Sequence, residues 1–331
     1  MTSQWRLTRF RTAETGNDIF KLTHDTPPPV QEGEVAVRFD WISVDPAMTG
    51  WTTNKRSYMP PVKPGQIMRA FGIGEVTESR FDGLSPGDWV TGFTGMQTKG
   101  VLPGKHLRKV DVSLAPPNHY LSWLGMTGYT GYFGMTDIGQ PKPGKTVVVS
   151  AAAGAVGSIA AQVALNAGAR VIGIAGGPVK CAYLTEELRL NGAIDYKSED
   201  VEAALRRECP NGIDIYFDNV GGDILDAVLA QINYRSTIIV CGAISQYSDW
   251  HSARGPKNYM SLITQSSKMQ GFTMKDYFHR IPEAVVALLE AKSQGKLIFR
   301  EHIVEGIENF PEAFEMLFSG AKQGKLLIKV R

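Results

Sequence analysis

Cysteine is nearly absent from this chain: its 331 residues include only Cys181, Cys209 and Cys241, far apart and with no C-x-x-C pair. Neither a disulfide framework nor a cysteine-rich zinc lobe can be assembled from them, and reduced thiols are expected. Histidine is sparse as well, and His24, His106, His119, His251, His279 and His302 show no ligand spacing, so a histidine metal site is not expected. Long runs of one charge are missing. The 35 basic and 33 acidic residues are intermixed and leave a formal charge of +2, which gives a polyanion such as nucleic acid no footing. The first ten residues, Met1-Thr-Ser-Gln-Trp-Arg-Leu-Thr-Arg-Phe10, hold no apolar stretch that reads as a signal peptide, and the cytoplasm is the expected location. The uncharged run Val147–Leu165 has roughly the length of a membrane span, but Ser150, Ser158, Gln162 and two glycines interrupt it. A buried strand followed by a helix explains that run better.

That run is also the most informative feature present. Thr146–Ser150 is a β-branched strand, Ala151–Gly157 is a turn of small residues, and Val156–Ala167 follows as a helix. A strand covered on both faces, a turn that lets backbone approach a phosphate, and helix amides facing the anion are the elements of a dinucleotide site. Ala152 stands where the usual G-x-G-x-x-G pattern has its first glycine, so Gly154 and Gly157 carry the signal only together with the flanking strand and helix.

Around this motif the chain divides by pattern. Up to residue 122, short β-rich segments such as Glu34–Ile42, Ile73–Thr77 and Asp88–Gly92 are separated by Pro and Gly, which predicts a β-barrel-like unit with working loops. From Ser122 onward helices and strands alternate. After the glycine turn they are strand Arg170–Ile174, helix Val179–Leu190, strand Ala193–Tyr196, helix Val201–Glu208, strand Ile213–Asn219, helix Gly222–Leu229 and strand Ser236–Cys241. That alternation predicts a doubly wound parallel sheet, an α/β fold. Helix Ile281–Gln294 then leads to Arg300–Glu305 and a last strand, Lys325–Val330, which is expected to return to the N-terminal unit.

The second strand of the sheet ends in Ile174-Ala-Gly-Gly-Pro-Val-Lys180, without the carboxylate that a NAD site uses for the ribose 2′-hydroxyl. Lys180 is placed to neutralise a 2′-phosphate, and Tyr196 at the next strand end is its expected neighbour, so NADPH is preferred over NADH.

The strings Ser43-Val-Asp-Pro-Ala-Met48, Leu124-Gly-Met-Thr-Gly-Tyr129, Val148–Ser158, Phe217-Asp-Asn-Val-Gly-Gly222 and Cys241-Gly-Ala-Ile-Ser245 occur in one order across nearly the whole chain. The sequence thereby resembles the zinc-independent medium-chain dehydrogenase/reductases, in the group of prostaglandin, alkenal and curcumin reductases. The resemblance implies a GroES-like catalytic domain over residues 1–122, an NADP-binding Rossmann domain over 123–298 and a returning segment over 299–331. It implies a homodimer and reduction of the double bond of α,β-unsaturated ketones and aldehydes. Carried over by position, it implies pyrophosphate contacts from Gly154, Ala155, Val156 and Gly157 and 2′-phosphate contacts from Lys180 and Tyr196. It also places Asn219, Cys241, Gly242, Ala243, Ile244, Ser245 and Tyr247 near the adenosine ribose and the nicotinamide side, and Phe272, Thr273 and Met274 along the nicotinamide carboxamide. Two positions depart from the pattern: Thr49 replaces a common arginine, and Lys322 replaces an asparagine that contacts cofactor.

Conjugate reduction needs hydride over the β-carbon and a donor to the carbonyl oxygen as enolate charge develops; no metal is required. The nicotinamide ribose hydroxyl and a tyrosine are the natural donors. Tyr247 is the first candidate, since it follows the loop at the carboxyl end of a sheet strand, and Tyr58 is the second. Each has a plainer role open to it, as pocket wall or loop residue. Met48, Met59, Met68, Met126, Met274, Trp51, Phe71, Tyr129 and Tyr259 could line an adaptable apolar pocket or simply pack in the core. Two rival readings stay open: an NADPH:quinone oxidoreductase of the same fold, and a non-catalytic, crystallin-like NADPH-binding protein.

Overall fold

The computed structural model describes residues 1–12, 15–247 and 253–331, and the chain forms two compact units, Met1–Ser122 with Glu301–Arg331, and Trp123–Arg300.

In the first unit β1 (Thr2–Leu7) and β2 (Phe20–Asp25) form an antiparallel pair. They are followed by β3 (Glu34–Ser43), the short helix α1 (Ala47–Trp51), β4 (Phe71–Ser79), β5 (Trp89–Phe93), β6 (Lys99–Pro103) and β7 (Leu107–Lys109). β3 shows the two-residue period of a strand with one covered face: Val35, Val37 and Phe39 are buried, and the residues between them are not. It pairs antiparallel with β4 along one edge, and along the other with β6 and with the chain's last strand.

The second unit begins with α2 (Met126–Phe133) and continues through β8 (Thr146–Ser150), α3 (Ala155–Asn166), β9 (Arg170–Ala175), α4 (Pro178–Ala182), β10 (Gly192–Asp195) and α5 (Val201–Glu208). Then follow β11 (Ile213–Asp218), α6 (Gly222–Leu229), β12 (Ile232–Val240), α7 (Ser261–Thr264), β13 (Lys268–Gly271) and α8 (Ile281–Ser293). Its six strands are all parallel in the order β10-β9-β8-β11-β12-β13. The strand order reverses between β8 and β11, and in a sheet of this kind ligands bind beyond the carboxyl ends at that point. One buried cluster holds Val147, Val149, Phe217 and Ile239; the other holds Val148, Tyr216, Ile172 and Ile238. The central strands β8, β11 and β12 thus contribute to two layers, and β8 has no exposed position.

The chain re-enters the first unit as β14 (Glu301–Glu305), α9 (Phe310–Ser319) and β15 (Lys325–Lys329). β15 pairs with β14 and β3, and Lys325 at its start is 3 % exposed. Its ammonium donates to Asp45 Oδ1 at 2.8 Å and to the Val44 carbonyl at 3.1 Å, so the buried cation is paired and the Ser43-Val-Asp45 string is fixed to the sheet.

One expectation needs correction. The single helix over Val179–Leu190 is broken: α4 ends at Ala182 and Tyr183–Glu187 is a π-helical turn. That turn faces Tyr183 and Leu184 into the core, a packing demand that outranks regular helix geometry. Helix α9 and strand β13 were not anticipated. Among the described residues no helix is long and apolar enough to cross a membrane.

Candidate functional site

The glycine turn is built by close contact. Ala151 adopts φ +47°, and the Gly154 amide closes back onto its carbonyl at 2.8 Å. Gly154 caps α3 without a side chain, so the amides of the first helical turn are not consumed by a capping group. At Gly157 a β-carbon would sit 2.4 Å from the Ala151 carbonyl oxygen, and at Gly131 in α2 one would sit 2.9 Å from the Val156 carbonyl oxygen. The start of α3 is therefore seated against the turn on one side and α2 on the other. Ala152 is fully buried, and a β-carbon on Gly173 of β9 would lie only 2.9 Å from the Ala152 Cβ. Gly173 gives up the space that the missing first glycine would have left. With the Gly154 amide used inside the turn, the amides of Ala155, Val156 and Gly157 form the cradle at the helix N-terminus, and Gly154 lines it without a side chain, which suits a diphosphate.

A second anion-suited corner lies at the ends of β9 and β10. The Tyr196 ring lies over Gly176, where a β-carbon would meet the ring at 2.8 Å, and Tyr196 is 45 % exposed. Asp195 binds the two turns together, its Oδ1 accepting from the Gly177 amide at 2.7 Å and the Lys197 amide at 3.0 Å. Those bonds hold the Asp195 carboxyl below its ordinary range. Burial and the neighbouring Lys197 ammonium both pull the Lys180 ammonium below its ordinary value. Two like charges held together relax when a dianion joins them. Lys197 and Asp195 escaped the sequence reading, although both flank Tyr196.

At the switch point, the loops after β11 and β12 are laced together. The amides of Cys241 and Gly242 donate to the Asp218 carbonyl at 2.9 and 3.0 Å, Ile244 to the Asn219 carbonyl at 3.1 Å and Ser245 to the Val220 carbonyl at 3.2 Å. Asn219 Nδ2 donates to the Ser150 carbonyl at 2.7 Å, joining the ends of β8 and β11. Beneath them lies Asp218, 1 % exposed, whose Oδ1 accepts from the Tyr216 hydroxyl at 2.9 Å and the Val220 and Gly221 amides at 2.9 and 2.8 Å. Burial raises its carboxyl above the ordinary 3.8, against the pull of those donors. A folded-state value above the unfolded one means that the native protein holds the proton longer, so this group's contribution to stability falls as pH rises through that window. Asp218→Asn should abolish that component, seen as a flatter dependence of the unfolding midpoint on pH from 3.8 upward. An unchanged slope would rule out the assignment. Burial also pushes the Cys241 thiol up to about 12, with Asp218 adding to it, so the group stays a thiol at neutral pH.

Tyr247 ends the short helical turn Ile244–Gln246 and folds back over the loop: its phenol oxygen accepts from the Ala243 amide at 3.2 Å. An amide donating to that oxygen polarises its O–H bond and strengthens it as a donor. Thr273 and Asp276 form a capping box around the turn Met274–Asp276, and Met274 is buried. The Phe272 side chain is partly buried against the core, and a β-carbon on Gly134 would meet it at 2.7 Å.

Tyr58 and Lys322 belong to the first unit; Tyr58 is half-exposed, and the Lys322 ammonium donates to the Gly324 carbonyl at 3.2 Å. Several residues considered for an apolar pocket are core instead. Met48 and Met68 are fully buried, Trp51 is 3 % exposed, and Tyr129 is sealed in with its hydroxyl on the Leu124 carbonyl. Tyr259 is at the other extreme, 56 % exposed. His251 lies outside the described residues. Among those described, no three His, Cys, Asp or Glu are grouped so as to hold a metal ion.

Comparison with known proteins agrees with this layout. Residues 3–110 match the family described as the N-terminal domain of oxidoreductase, and residues 155–291 match the family described as zinc-binding dehydrogenase. A Bacillus subtilis (strain 168) protein named as a provisional NADP-dependent oxidoreductase is 47% identical over 95% of this chain and 93% of its own length. The NADP(+)-dependent 2-alkenal reductase of Nicotiana tabacum is 37% identical over 96% of this chain and 93% of its own length. The crystal structure of CurA from Vibrio vulnificus in complex with NADPH superposes with a TM-score of 0.94 at 37% identity, covering 99% of each chain. The chain belongs to the medium-chain dehydrogenase/reductases, in the group of curcumin, alkenal and prostaglandin reductases.

Proposed function

We propose that this protein is an NADPH-dependent reductase of the carbon–carbon double bond in α,β-unsaturated ketones and aldehydes. The observation that carries the reading is the pair of anion-suited places on one parallel sheet, the uncapped start of α3 and the Lys180–Lys197 corner. They match the two phosphate groups of NADPH in chemistry, and the likeness to a 2-alkenal reductase supports the class of acceptor.

Bound NADPH would supply the hydride that reaches the β-carbon. The amides of Ala155, Val156 and Gly157, with Gly154 giving close approach, hold the pyrophosphate, and Lys180 with Tyr196 holds the 2′-phosphate. Asn219, the loop from Cys241 through Gly242, Ala243, Ile244 and Ser245 to Tyr247, and the stretch Phe272–Met274 position the nicotinamide half. Lys322 belongs to the same cofactor set. As charge develops on the substrate carbonyl oxygen, the Tyr247 phenol donates to it, and Tyr58 is the second candidate for that role. Residues 1–122 with the C-terminal segment form the catalytic unit in this reading. The enzyme works in the cytoplasm as a homodimer, which its molecular mass in solution tests.

The test is an acceptor panel with product identification. Faster consumption of NADPH with quinones than with 4-phenyl-3-buten-2-one would make the protein a quinone oxidoreductase. Cofactor binding without turnover of either would make it a binding protein. For Tyr247→Phe, kcat is expected to fall about tenfold with NADPH affinity kept, since one of two oxyanion donors is lost. Unaltered turnover would leave Tyr247 a pocket wall.

A further inference from the structure

We propose that Arg280 is a positioning residue for the nicotinamide end of the cofactor, holding from behind the segment Phe272–Met274 that meets the carboxamide. The inference rests on the NADPH-reductase reading and adds to it the residue that keeps this part of the site in place.

The segment needs an outside hold. It follows β13, the last of the six parallel strands, which is four residues long and is paired through β12. The turn Met274–Asp276 closes on itself through the Thr273–Asp276 capping box, a local device that fixes its shape and not its place on the sheet. A carboxamide brings one acceptor oxygen and two donors, and an irregular stretch of backbone answers them only while its groups keep their direction.

The hold comes from a ladder of rings. The Phe272 ring takes the space beside Gly134, where a β-carbon would stand 2.7 Å from it and 2.8 Å from the Phe217 ring. Tyr277 meets Phe272 edge to face with centroids 6.1 Å apart, and it stacks on Phe133 of α2 at 4.6 Å and 13°. Arg280 closes the ladder, its guanidinium carbon 5.0 Å from the centre of the Phe133 ring and 5.9 Å from that of Tyr277. The backbone continues the link: the Arg280 amide donates to the Tyr277 carbonyl at 2.9 Å, and the Tyr277 amide to the Met274 carbonyl at 3.0 Å.

Four hydrogen bonds fix the guanidinium in its plane. Nε and Nη2 donate to the two Glu283 oxygens at 2.8 and 2.9 Å, while Nη1 and Nη2 donate to the two Asp137 oxygens, the latter at 3.2 Å. Glu283 lies in the first turn of α8, and Asp137 in the π-helical turn Gly134–Gly139 that continues α2, so one side chain ties both helices to the Tyr277 ring. A lone ion pair at a partly exposed arginine contributes little. Two carboxylates taken by one fork, with rings beside it, define a geometry that an ammonium cannot reproduce.

The experiment compares calorimetric binding of NADPH with that of 2′-phospho-ADP-ribose, the same cofactor without its nicotinamide, and records the emission of the bound dihydronicotinamide. Arg280→Gln is expected to weaken NADPH about tenfold, the scale of one lost hydrogen bond, and to leave 2′-phospho-ADP-ribose within about twofold of wild type. The emission of bound NADPH at saturation should move toward that of the free cofactor. Arg280→Lys should recover only part of the loss. Tyr277→Leu breaks the ladder one rung nearer the site with the ion pairs kept, and should show the same pattern; it decides the matter if Arg280→Gln does not fold. The two changes combined should weaken NADPH no more than the stronger one alone, as for residues that act through one path. Equal weakening of both ligands, or of neither, overturns the proposal. A loss confined to NADPH supports the positioning role even if no enone is reduced, in which case the reductase reading alone fails. Enone reduction at the wild-type rate by Arg280→Gln, with binding of both ligands unaltered, sinks the positioning role and leaves the reductase standing.

Discussion

Gly157→Val is expected to raise the dissociation constant for NADPH by more than about a hundredfold while leaving a folded protein. The first carbon of the new side chain would stand 2.4 Å from the Ala151 carbonyl oxygen and 2.9 Å from the Ala152 Cα. Those are backbone atoms, so the clash cannot be relieved by a rotamer; the turn and the first turn of α3 must separate. Overpacking of this kind costs about 1–3 kcal/mol in stability. The larger loss falls on the cradle, because several amides aimed at one diphosphate lose aim together, each charge-assisted bond being worth about 1.5–3 kcal/mol. Fluorescence titration with NADPH measures the affinity, and thermal unfolding separates it from collapse. Binding within about threefold of wild type, in a folded variant, would show that the pyrophosphate lies elsewhere.

The second large effect is selective. Lys180→Ala should weaken NADPH by about 1–3 kcal/mol and leave NADH nearly unchanged, because only the former brings a 2′-phosphate to that corner. Part of the loss is offset, since removing one ammonium frees Lys197 from a like charge, and Lys180→Ala with Lys197→Ala should therefore exceed either single variant. Equal weakening of both cofactors would mean that Lys180 supports the fold of the 176–180 turn and not a phosphate.

Much of the fold can be read from local pattern. Val201–Glu208 and Gly222–Leu229 are helices with the expected bounds, and β8 runs over Thr146–Ser150 as its β-branched run predicts. Each has a complete period or a run bounded by small residues, so local propensity and burial agree. Helix α9 is equally legible, since Phe310, Ala313, Phe314 and Leu317 repeat at helical spacing on its buried face. β13 was not: Lys-Met-Gln-Gly carries no alternation, and pairing with β12 makes it a strand.

The site divides in the same way. The glycine turn and the Asp-Asn-Val-Gly-Gly string are contiguous, and their residues meet where the strand order reverses. What sequence hides is compensation between segments. The absence of glycine at 152 matters less than it seems because Gly173, on the next strand, makes the room. Asp218 reads as one polar residue near the end of a strand, and only the packed sheet shows it to be a buried acceptor that organises two loops.

The central claim is that hydride goes to the β-carbon of the enone and not to its carbonyl carbon. NADPH carrying deuterium at the transferable position, incubated with the protein and 4-phenyl-3-buten-2-one, should give the saturated ketone with deuterium on the carbon bearing the phenyl ring. Deuterium on a carbinol carbon, with the double bond intact, would contradict the account.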